Sequence, residues 1–350
     1  MAKVITDPKR VDDLLTRGVE EVIVHEHLKD ALLSGRKLRV KLGIDPTSQN
    51  IHLGRAVALR KLRAFQELGH DVIFIVGDFT GIIGDTSDKD AERPMLSESE
   101  VKRNMKTYFA QAFKILNKSK TEAYYNSKWL KKLGLAEIGK LADLFGLHEF
   151  EARENIAKRM ASGKRVSLRE VIYPLMQGYD SVVVKADIEI GGTDQKFNLL
   201  AGRTIQRGYG MEAQDVLMTE LLEGTNGKKM SSSAGNVVNI ADAPNEMFGK
   251  IMALDDRLTE RYFTLCTSLA LETVADALRQ GPRDAKLRLA KEIISLYHGA
   301  KAGVAAEEYF VKVFSKKDLD VVELPIFKTK GRKLPVLDLV LTPQDASRPS

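Results

Sequence analysis

Apolar and polar positions in the first third of the chain predict strands and helices in turn. Residues 38–44 are apolar or β-branched at most positions, and Pro46 ends that run, which indicates a buried strand. Leucines, a valine and a phenylalanine recur at helical spacing over 56–68. A second strand is predicted over 72–76 and a further helix over 98–116. This order is typical of a parallel α/β sheet.

Helical periodicity dominates the remainder of the chain. Predicted helices at 130–145, 149–162 and 169–179 interrupt the α/β pattern before a strand at 188–190 and a helix from Gln195 restore it. From Pro244 onward the pattern predicts only helices, at 245–254, 258–267, 271–278 and 285–297. We therefore predict an α/β domain over 1–243 with a helical insertion at about 130–180, a helical domain over 244–326, and a basic linker with the start of another element over 327–350.

Composition narrows the possible classes of protein. Of the 350 residues 43% are hydrophobic and 29% charged, as in globular proteins, and no apolar run approaches the roughly 20 residues of a membrane span. The N-terminal residues lack the pattern of a secretory signal. Cys266 is the only cysteine, which excludes an intrachain disulfide and a cysteine-based zinc cluster. These features predict a cytoplasmic protein, and a net charge of +6 is compatible with a polyanionic partner.

The segment Lys41 to Arg55 carries the first candidate chemistry. It is predicted to run from a buried strand through a loop into a helix, so that His52 and the backbone N–H groups around Gly54 lie at the helix N-terminus. Unpaired N–H groups and the helix dipole favour an anion there. The segment therefore predicts a nucleotide-phosphate site.

Further motifs, far apart in the chain, accompany this segment. They are Lys229-Met-Ser-Ser-Ser233, Gly191-Gly-Thr-Asp-Gln-Lys-Phe-Asn198 and Tyr173-Pro-Leu-Met-Gln-Gly-Tyr-Asp180. With His52-Leu-Gly-Arg55 they resemble the class I aminoacyl-tRNA synthetases, and within that class the bacterial-type tyrosyl-tRNA synthetases. The resemblance covers roughly residues 30–330 and includes Gly43 to Thr47, Thr80 to Asp85 and Asn126 to Trp129.

The resemblance implies a fold, an activity and partners. The α/β domain would be a Rossmann-like catalytic domain, the helical domain would bind the anticodon, and residues 327–350 would be a linker and the truncated start of a C-terminal RNA-binding module. The implied activity joins L-tyrosine to ATP as tyrosyl-adenylate, releasing pyrophosphate, and then transfers tyrosine to the 3′ end of tRNA(Tyr). ATP would act with Mg²⁺, no protein metal site is implied, and the enzyme would be a cytoplasmic homodimer that does not enter membranes.

The resemblance also assigns candidate roles in ATP binding and catalysis. His52 and Lys229 would stabilise the phosphates, whereas Arg55 and Ser232 stand where the family has a second histidine and a second lysine. Their roles in place of those residues stay open, since arginine is longer and permanently charged and serine is neutral. The other residues implied to contact ATP are Asp45, Thr47, Gly54, Gly191, Gly192, Asp194, Met230 and Ser231.

For the amino acid, the resemblance implies that Asp180 contacts the phenol hydroxyl. Tyr173, Gln177 and Asp180 fall at i, i+4 and i+7, so they share one face of a helix and can converge on one pocket. Lys41 stands where the family has a tyrosine that also binds the phenol, and Asn126 is either a tyrosine contact or an ordinary turn residue. The residues implied to bind tyrosine are Lys41, Asp85, Asn126, Tyr173, Gln177, Asp180 and Gln195.

Two other functions remain open at this point. A tryptophanyl-type synthetase would share the fold, and a catalytically weak RNA-binding paralogue would explain the departures at Arg55 and Ser232. The basic residues of the helix near 285–297 are either an RNA-facing surface or a solvated helix face. These residues are Arg283, Lys286, Arg288 and Lys291.

Overall fold

A single six-stranded sheet organises the protein. The structure is a computed structural model that describes residues 4–87 and 94–315. Within these residues the strands lie in the order β1-β6-β5-β2-β3-β4, and β2 to β6 are mutually parallel. They are β1 (Val19–Ile23), β2 (Arg39–Ile44), β3 (Asp71–Val76), β4 (Thr121–Tyr125), β5 (Ile188–Gly192) and β6 (Asp215–Thr219). The predicted parallel α/β class is confirmed.

The edge strand β1 departs from that prediction because it pairs antiparallel with β6. Its sequence, Val-Glu-Glu-Val-Ile, is only partly buried, so it lacks the continuous apolar run that marks a central parallel strand. Strands β1, β4 and β6 were all absent from the sequence-based prediction. Each has only five residues, and β1 and β4 also contain polar residues, so neither shows the continuous apolar run that identifies a buried strand.

The sheet has a topological switch point between β2 and β5. From β2 the chain proceeds outward through β3 to β4, whereas β5 and β6 lie on the other side of β2. Neighbouring crossover connections therefore diverge at the carboxyl ends of β2 and β5 and leave a crevice there. The helices of the first part of the chain are α1 (Pro8–Thr16), α2 (His25–Leu33), α3 (Leu53–Glu67), α4 (Thr80–Ile83), α5 (Glu98–Met105) and α6 (Tyr108–Ala112), of which α3 and α4 contribute residues to this crevice.

The helix predicted over 98–116 is two helices, α5 and α6. A capping box of Ser97 and Glu100 begins α5, with Ser97 N donating to Glu100 Oε2 at 2.8 Å. Thr107 leaves the helical conformation, at φ −110°, and its hydroxyl donates to the Gln49 carbonyl oxygen at 3.4 Å. A tertiary contact of a β-branched residue thus divides the predicted helix.

The insertion between β4 and β5 is helical, as predicted, but more finely divided. Its helices begin at glycines in two places, because Gly134 and Gly146 precede α8 and α9. The long helix α11 packs closely on α12, since a Cβ at Gly178 would lie 3.1 Å from the Cα of Gly202. The helices are α7 (Ser127–Leu130), α8 (Leu135–Asp143), α9 (Leu147–Glu151), α10 (Glu154–Ala161), α11 (Arg169–Val184) and, after β5, α12 (Lys196–Gly208).

Every regular element described from Pro244 on is helical. These are α13 (Pro244–Met252), α14 (Thr259–Cys266), α15 (Leu271–Arg279), α16 (Pro282–His298) and α17 (Ala300–Phe310), and a π-helical turn follows at Val311–Ser315. The described chain forms one compact unit up to Glu307 and a second from Glu308. The domain boundary at 243/244 stays a prediction, and the predicted linker and module at 327–350 lie outside the described residues. None of the described helices is both long and apolar enough to cross a bilayer.

The basic residues of α16 are engaged within the protein to different degrees. Lys286 Nζ lies 3.1 Å and 2.9 Å from the carbonyl oxygens of Met252 and Leu254, and 2.7 Å from Asp256 Oδ1. It therefore neutralises the C-terminal end of α13, where unpaired carbonyl groups collect. Lys286 belongs to the packing of the helices rather than to a free basic surface.

Substitution Lys286→Met is expected to lower the free energy of unfolding by about 1–3 kcal/mol, because it removes charge-assisted hydrogen bonds from partly buried carbonyl groups. Arg288→Met is the matched control on the same helix, since the Arg288 side chain forms no hydrogen bond or ion pair with the described residues. Its effect should stay within about 0.5 kcal/mol. Urea denaturation of both variants measures the difference, and equal losses would contradict the capping role of Lys286.

Candidate functional site

One cavity of about 710 Å³ opens at the switch point between β2 and β5. A cavity of this size accommodates a nucleotide together with a small amino acid. The structure brings every candidate site residue to its wall: Lys41, Asp45, Thr47, His52, Gly54, Arg55, Asp85, Asn126, Tyr173, Gln177, Asp180, Gly191, Gly192, Asp194, Gln195, Lys229, Met230, Ser231 and Ser232. Their individual roles remain predictions.

His52 is the N-cap residue of α3. Its Nδ1 accepts a hydrogen bond from the backbone N–H of Arg55 at 3.3 Å, and its side chain is buried. Burial, reinforced by the charges of Arg55 and Lys229, lowers the pKa of the His52 imidazole to about 3. His52 is therefore neutral, and because Nδ1 is an acceptor, the proton resides on Nε2. The site thus contains a fixed, uncharged N–H donor at a helix N-terminus.

Arg55 is held by two hydroxyl groups at the edge of the cavity. One guanidinium nitrogen donates to Tyr108 Oη at 2.5 Å, and another donates to Thr47 Oγ1 at 2.6 Å. The guanidinium consequently ties α3 to the loop after β2 and to α6. Its positive charge stays at the cavity wall, where it can act on a nearby anion without leaving these contacts.

The loop that contains Lys229 is docked against the N-terminus of α3. The backbone N–H of Gly54 donates to Met230 Sδ at 3.3 Å, and the Lys229 ammonium lies 2.9 Å from Asp194 Oδ2. Ser232 Oγ lies 3.1 Å from Ser48 Oγ. The two segments recognised as separate motifs therefore form one wall of the cavity, with Lys229 paired to a carboxylate that follows β5.

Asp180 and Asn126, 4% and 1% exposed, form a buried part of the cavity wall that we call its deep end. The Asp180 carboxylate accepts hydrogen bonds from Trp129 Nε1 at 2.6 Å and from Asn126 Nδ2 at 3.2 Å. Burial raises the pKa of the Asp180 carboxyl to about 7, although the Lys41 ammonium opposes the shift. A buried carboxylate with a shifted pKa in a cavity is a candidate functional group.

Lys41 is completely buried and its ammonium group is held by protein partners. Its Nζ donates to the Gln177 carbonyl oxygen at 2.9 Å and to Ser181 Oγ at 2.7 Å, and it forms an ion pair with Glu189 Oε1 at 2.9 Å. Lys41 is therefore an internal ion-pair partner of Glu189 at the base of the cavity wall.

Tyr173 makes its hydrogen bond within the protein. Its hydroxyl donates to Asp45 Oδ2 at 2.9 Å, and Thr80 Oγ1 donates to Asp45 Oδ1 at 2.7 Å. Burial raises the pKa of the Asp45 carboxyl to about 6, although both hydrogen bonds oppose the shift. These contacts link the loop after β2 to α4 and α11.

Asp85 and Gln195 meet on the wall between the two ends of the cavity. Gln195 Nε2 donates to Asp85 Oδ2 at 2.8 Å and to Ser87 Oγ at 3.0 Å. Gly192 lies at the end of β5, and a Cβ there would meet the side-chain ends of Asp194 and Leu221. A larger residue at this position would therefore have to displace side chains of the cavity wall.

Sequence reasoning missed several partners of these residues, among them Glu189, Thr80 and Tyr108. Glu189 had a detectable signal, since it is a charged residue within the apolar strand β5, as Lys41 is within β2. Thr80 belongs to the segment Thr80 to Asp85, which contributed to the family resemblance, but the sequence assigned no role to Thr80. Tyr108 had no signal, because its hydrogen bond to Arg55 depends on how α6 packs against α3.

The described residues contain no group of three histidine, cysteine, aspartate or glutamate side chains that could hold a metal ion. The aspartates of the cavity instead bind other side chains: Asp45 binds Thr80, Asp180 binds Trp129, Asp85 binds Gln195 and Asp194 binds Lys229.

Comparisons with known proteins give a consistent result. Residues 33–315 match the model of the tRNA synthetases class I (W and Y) family. The tyrosine–tRNA ligase of Carboxydothermus hydrogenoformans is 49% identical over 338 residues, which are 93% of this chain and 82% of that relative. The tyrosine–tRNA ligase of Shewanella oneidensis is 45% identical over 95% of this chain and 87% of its own length.

Solved structures share the fold at lower sequence identity. The Aspergillus nidulans mitochondrial tyrosyl-tRNA synthetase, truncated at its C-terminus, has a TM-score of 0.73 at 22% identity, covering 87% of this chain and 94% of that one. The Archaeoglobus fulgidus tyrosyl-tRNA synthetase complexed with L-tyrosine has a TM-score of 0.68 at 23% identity, covering 85% of this chain and all of that one.

Proposed function

The chain belongs to the class I tRNA synthetases of the tryptophan and tyrosine group, and from this premise we propose that it is a tyrosine–tRNA ligase that activates L-tyrosine with ATP and transfers it to tRNA(Tyr). Relatives that are 45–49% identical over most of the chain are named tyrosine–tRNA ligases. The tryptophanyl-type and RNA-binding alternatives gain no support from them.

The deep end of the cavity would hold the tyrosine side chain. Asp180 is the buried acceptor that a phenol hydroxyl needs, and Trp129 and Asn126 hold its carboxylate in place. Nearer the mouth, Gln177, Tyr173 and Asp85 supply oxygens for the α-ammonium group. The spacing of Tyr173, Gln177 and Asp180 along α11 matches this arrangement, because all three line one cavity from the same helix.

The other end would hold ATP. The tyrosine carboxylate oxygen attacks the α-phosphorus, a new P–O bond forms, and the bond to the bridging oxygen breaks with departure of pyrophosphate. Charge accumulates on phosphate oxygens in this transition state, so fixed donors accelerate the step. His52 Nε2–H and Lys229 are such donors, and Asp194 would accept from the ribose. The first N–H groups of α3, predicted from the sequence to be unpaired, are engaged with Val238, Met230 and His52, so α3 would contribute its dipole rather than free donors.

The remaining partners follow from this assignment. Mg²⁺ would bind together with the ATP phosphates, because it usually has few protein ligands. The protein would act in the cytoplasm. A homodimer would follow from the family that the chain belongs to.

The main support for the proposal is that the His52 segment, the Lys229 loop and Asp180 all line one cavity. Tyrosine-dependent exchange of pyrophosphate into ATP tests it directly. Exchange should depend on tyrosine and not on tryptophan or phenylalanine. Exchange driven by tryptophan would indicate the other branch of the family, and none with any amino acid would indicate a protein that has lost activation.

Ser232→Lys is expected to leave the rate of activation unchanged or raise it. The substitution places a cation where the family usually has one, near the departing pyrophosphate, and removes only the contact with Ser48. Pyrophosphate exchange compares it with Ser233→Lys, which adds the same charge at the neighbouring position. A large loss specific to Ser232→Lys would show that this loop requires the serine.

A further inference from the structure

A buried ion pair lies beneath the amino acid pocket without contacting solvent. The side chains of Lys41 and Glu189 are 0% and 1% exposed, and their charged atoms are 2.9 Å apart. Removing two charges from water costs free energy that their attraction only partly recovers, so apolar residues would fill the same space without that cost. The pair therefore calls for a role other than stability.

Both charges converge on Gln177. Lys41 Nζ donates to the Gln177 carbonyl oxygen at 2.9 Å, and Gln177 Nε2 donates to Glu189 Oε1 at 3.0 Å. Ser181, one turn further along α11, accepts from Lys41 at 2.7 Å and donates to Glu189 Oε2 at 3.1 Å. The main chain and side chain of Gln177 are thus both held by the pair.

This contact fixes which way the Gln177 amide faces. An ionised carboxylate only accepts hydrogen bonds, so the NH₂ group of Gln177 must face Glu189 and the Oε1 atom must point away from it. No described residue donates to Gln177 Oε1, and Gln177 lines the cavity. The cavity therefore receives a carbonyl oxygen, which suits a cation.

We propose that Glu189 is a positioning residue for the amino acid substrate: its carboxylate orients the Gln177 amide so that Oε1 accepts from the substrate α-ammonium, and Lys41 holds Glu189 in place. The inference rests on the proposed function, because it requires tyrosine as the ligand. In this arrangement Lys41 influences the substrate through Glu189 and Gln177 and does not touch the phenol.

The test compares two ligands that differ only in the ammonium group, L-tyrosine and 3-(4-hydroxyphenyl)propanoate. Equilibrium binding is measured for the wild type and for Glu189→Gln, whose neutral amide no longer dictates the orientation of Gln177. The dissociation constant for tyrosine should rise about tenfold, and that for the propanoate should change less than about twofold. Equal weakening of both ligands would mean a merely structural role and would overturn the proposal. A wild type that does not bind tyrosine would instead refute the proposed function.

Two further variants keep the test decisive if Glu189→Gln does not fold, since that change leaves a buried ammonium without its anion. Lys41→Met with Glu189→Gln removes both charges together and should show the same selective loss for tyrosine. In a Gln177→Ala background, Lys41→Met with Glu189→Gln should cause no further selective loss, because the residue it positions is gone. A selective loss that persists without Gln177 would overturn the assigned route.

Discussion

Replacing Asp180 with alanine is expected to reduce the preference for tyrosine over phenylalanine by about a hundredfold or more, as a ratio of kcat/KM values. In the wild type, phenylalanine would cover the buried carboxylate without supplying the hydroxyl donor that tyrosine provides, and this penalty, which excludes phenylalanine, is absent from the alanine variant. Each variant serves as its own control, because both amino acids meet the same altered protein.

The preference should also depend on pH. Because the pKa of Asp180 is raised to about 7, the carboxyl is mainly protonated below that pH and mainly ionised above it. An ionised group loses more when phenylalanine covers it, so discrimination should increase as the pH rises through about 7. The ratio of kcat/KM values across this range, compared with Asp180→Asn, measures the effect. A pH-dependent ratio that persists in Asp180→Asn would assign the titration to another group.

His52→Ala is expected to slow adenylate formation by about a hundredfold or more with little change in tyrosine affinity. The imidazole Nε2–H would stabilise charge that appears on phosphate oxygens only in the transition state. Because its pKa is lowered to about 3, the wild-type histidine stays neutral and its contribution should not vary between about pH 6 and 9. Rapid-quench measurement of tyrosyl-adenylate gives the rate directly.

His52→Asn controls for the structural part of this effect. Asparagine is a good N-cap and can accept from the Arg55 backbone N–H, so it should preserve the start of α3 while losing the imidazole donor. We expect it to be thermally more stable than His52→Ala and still slow in activation. An activation rate for His52→Ala within a few-fold of the wild type would remove His52 from the transition state.

Those parts of the candidate site that consist of residues close together in sequence could be predicted. The strand, loop and helix around His52 follow from local periodicity and from Pro46, and the spacing of Gln177 and Asp180 places them on one helix face. The partners of these residues were not predictable in the same way. Lys41 and Glu189 lie 148 positions apart, and only the pairing of β2 with β5 aligns them in register.

A similar limit applied to the fold. Continuous apolar runs identified β2 and β3. The edge strands β1 and β4 contain polar residues, so they show no such run. β6 is too short to be distinguished from a buried helical turn. The helix predicted over 98–116 failed for a tertiary reason, the contact of Thr107 with Gln49. Local sequence propensity cannot predict such contacts, because they depend on residues distant in the chain.

The hydrogen bond from Trp129 to Asp180 gives the protein its own optical reporter. Trp129 is the sole tryptophan of the chain, and its indole N–H is bound at 2.6 Å to the carboxylate proposed to receive the phenol. Indole emission responds to the charge and polarity around the ring, so intrinsic fluorescence should change when Asp180 titrates or when an amino acid fills the pocket. Occupancy of the deep end of the cavity can therefore be followed in unlabelled protein, without a competing signal from any other indole.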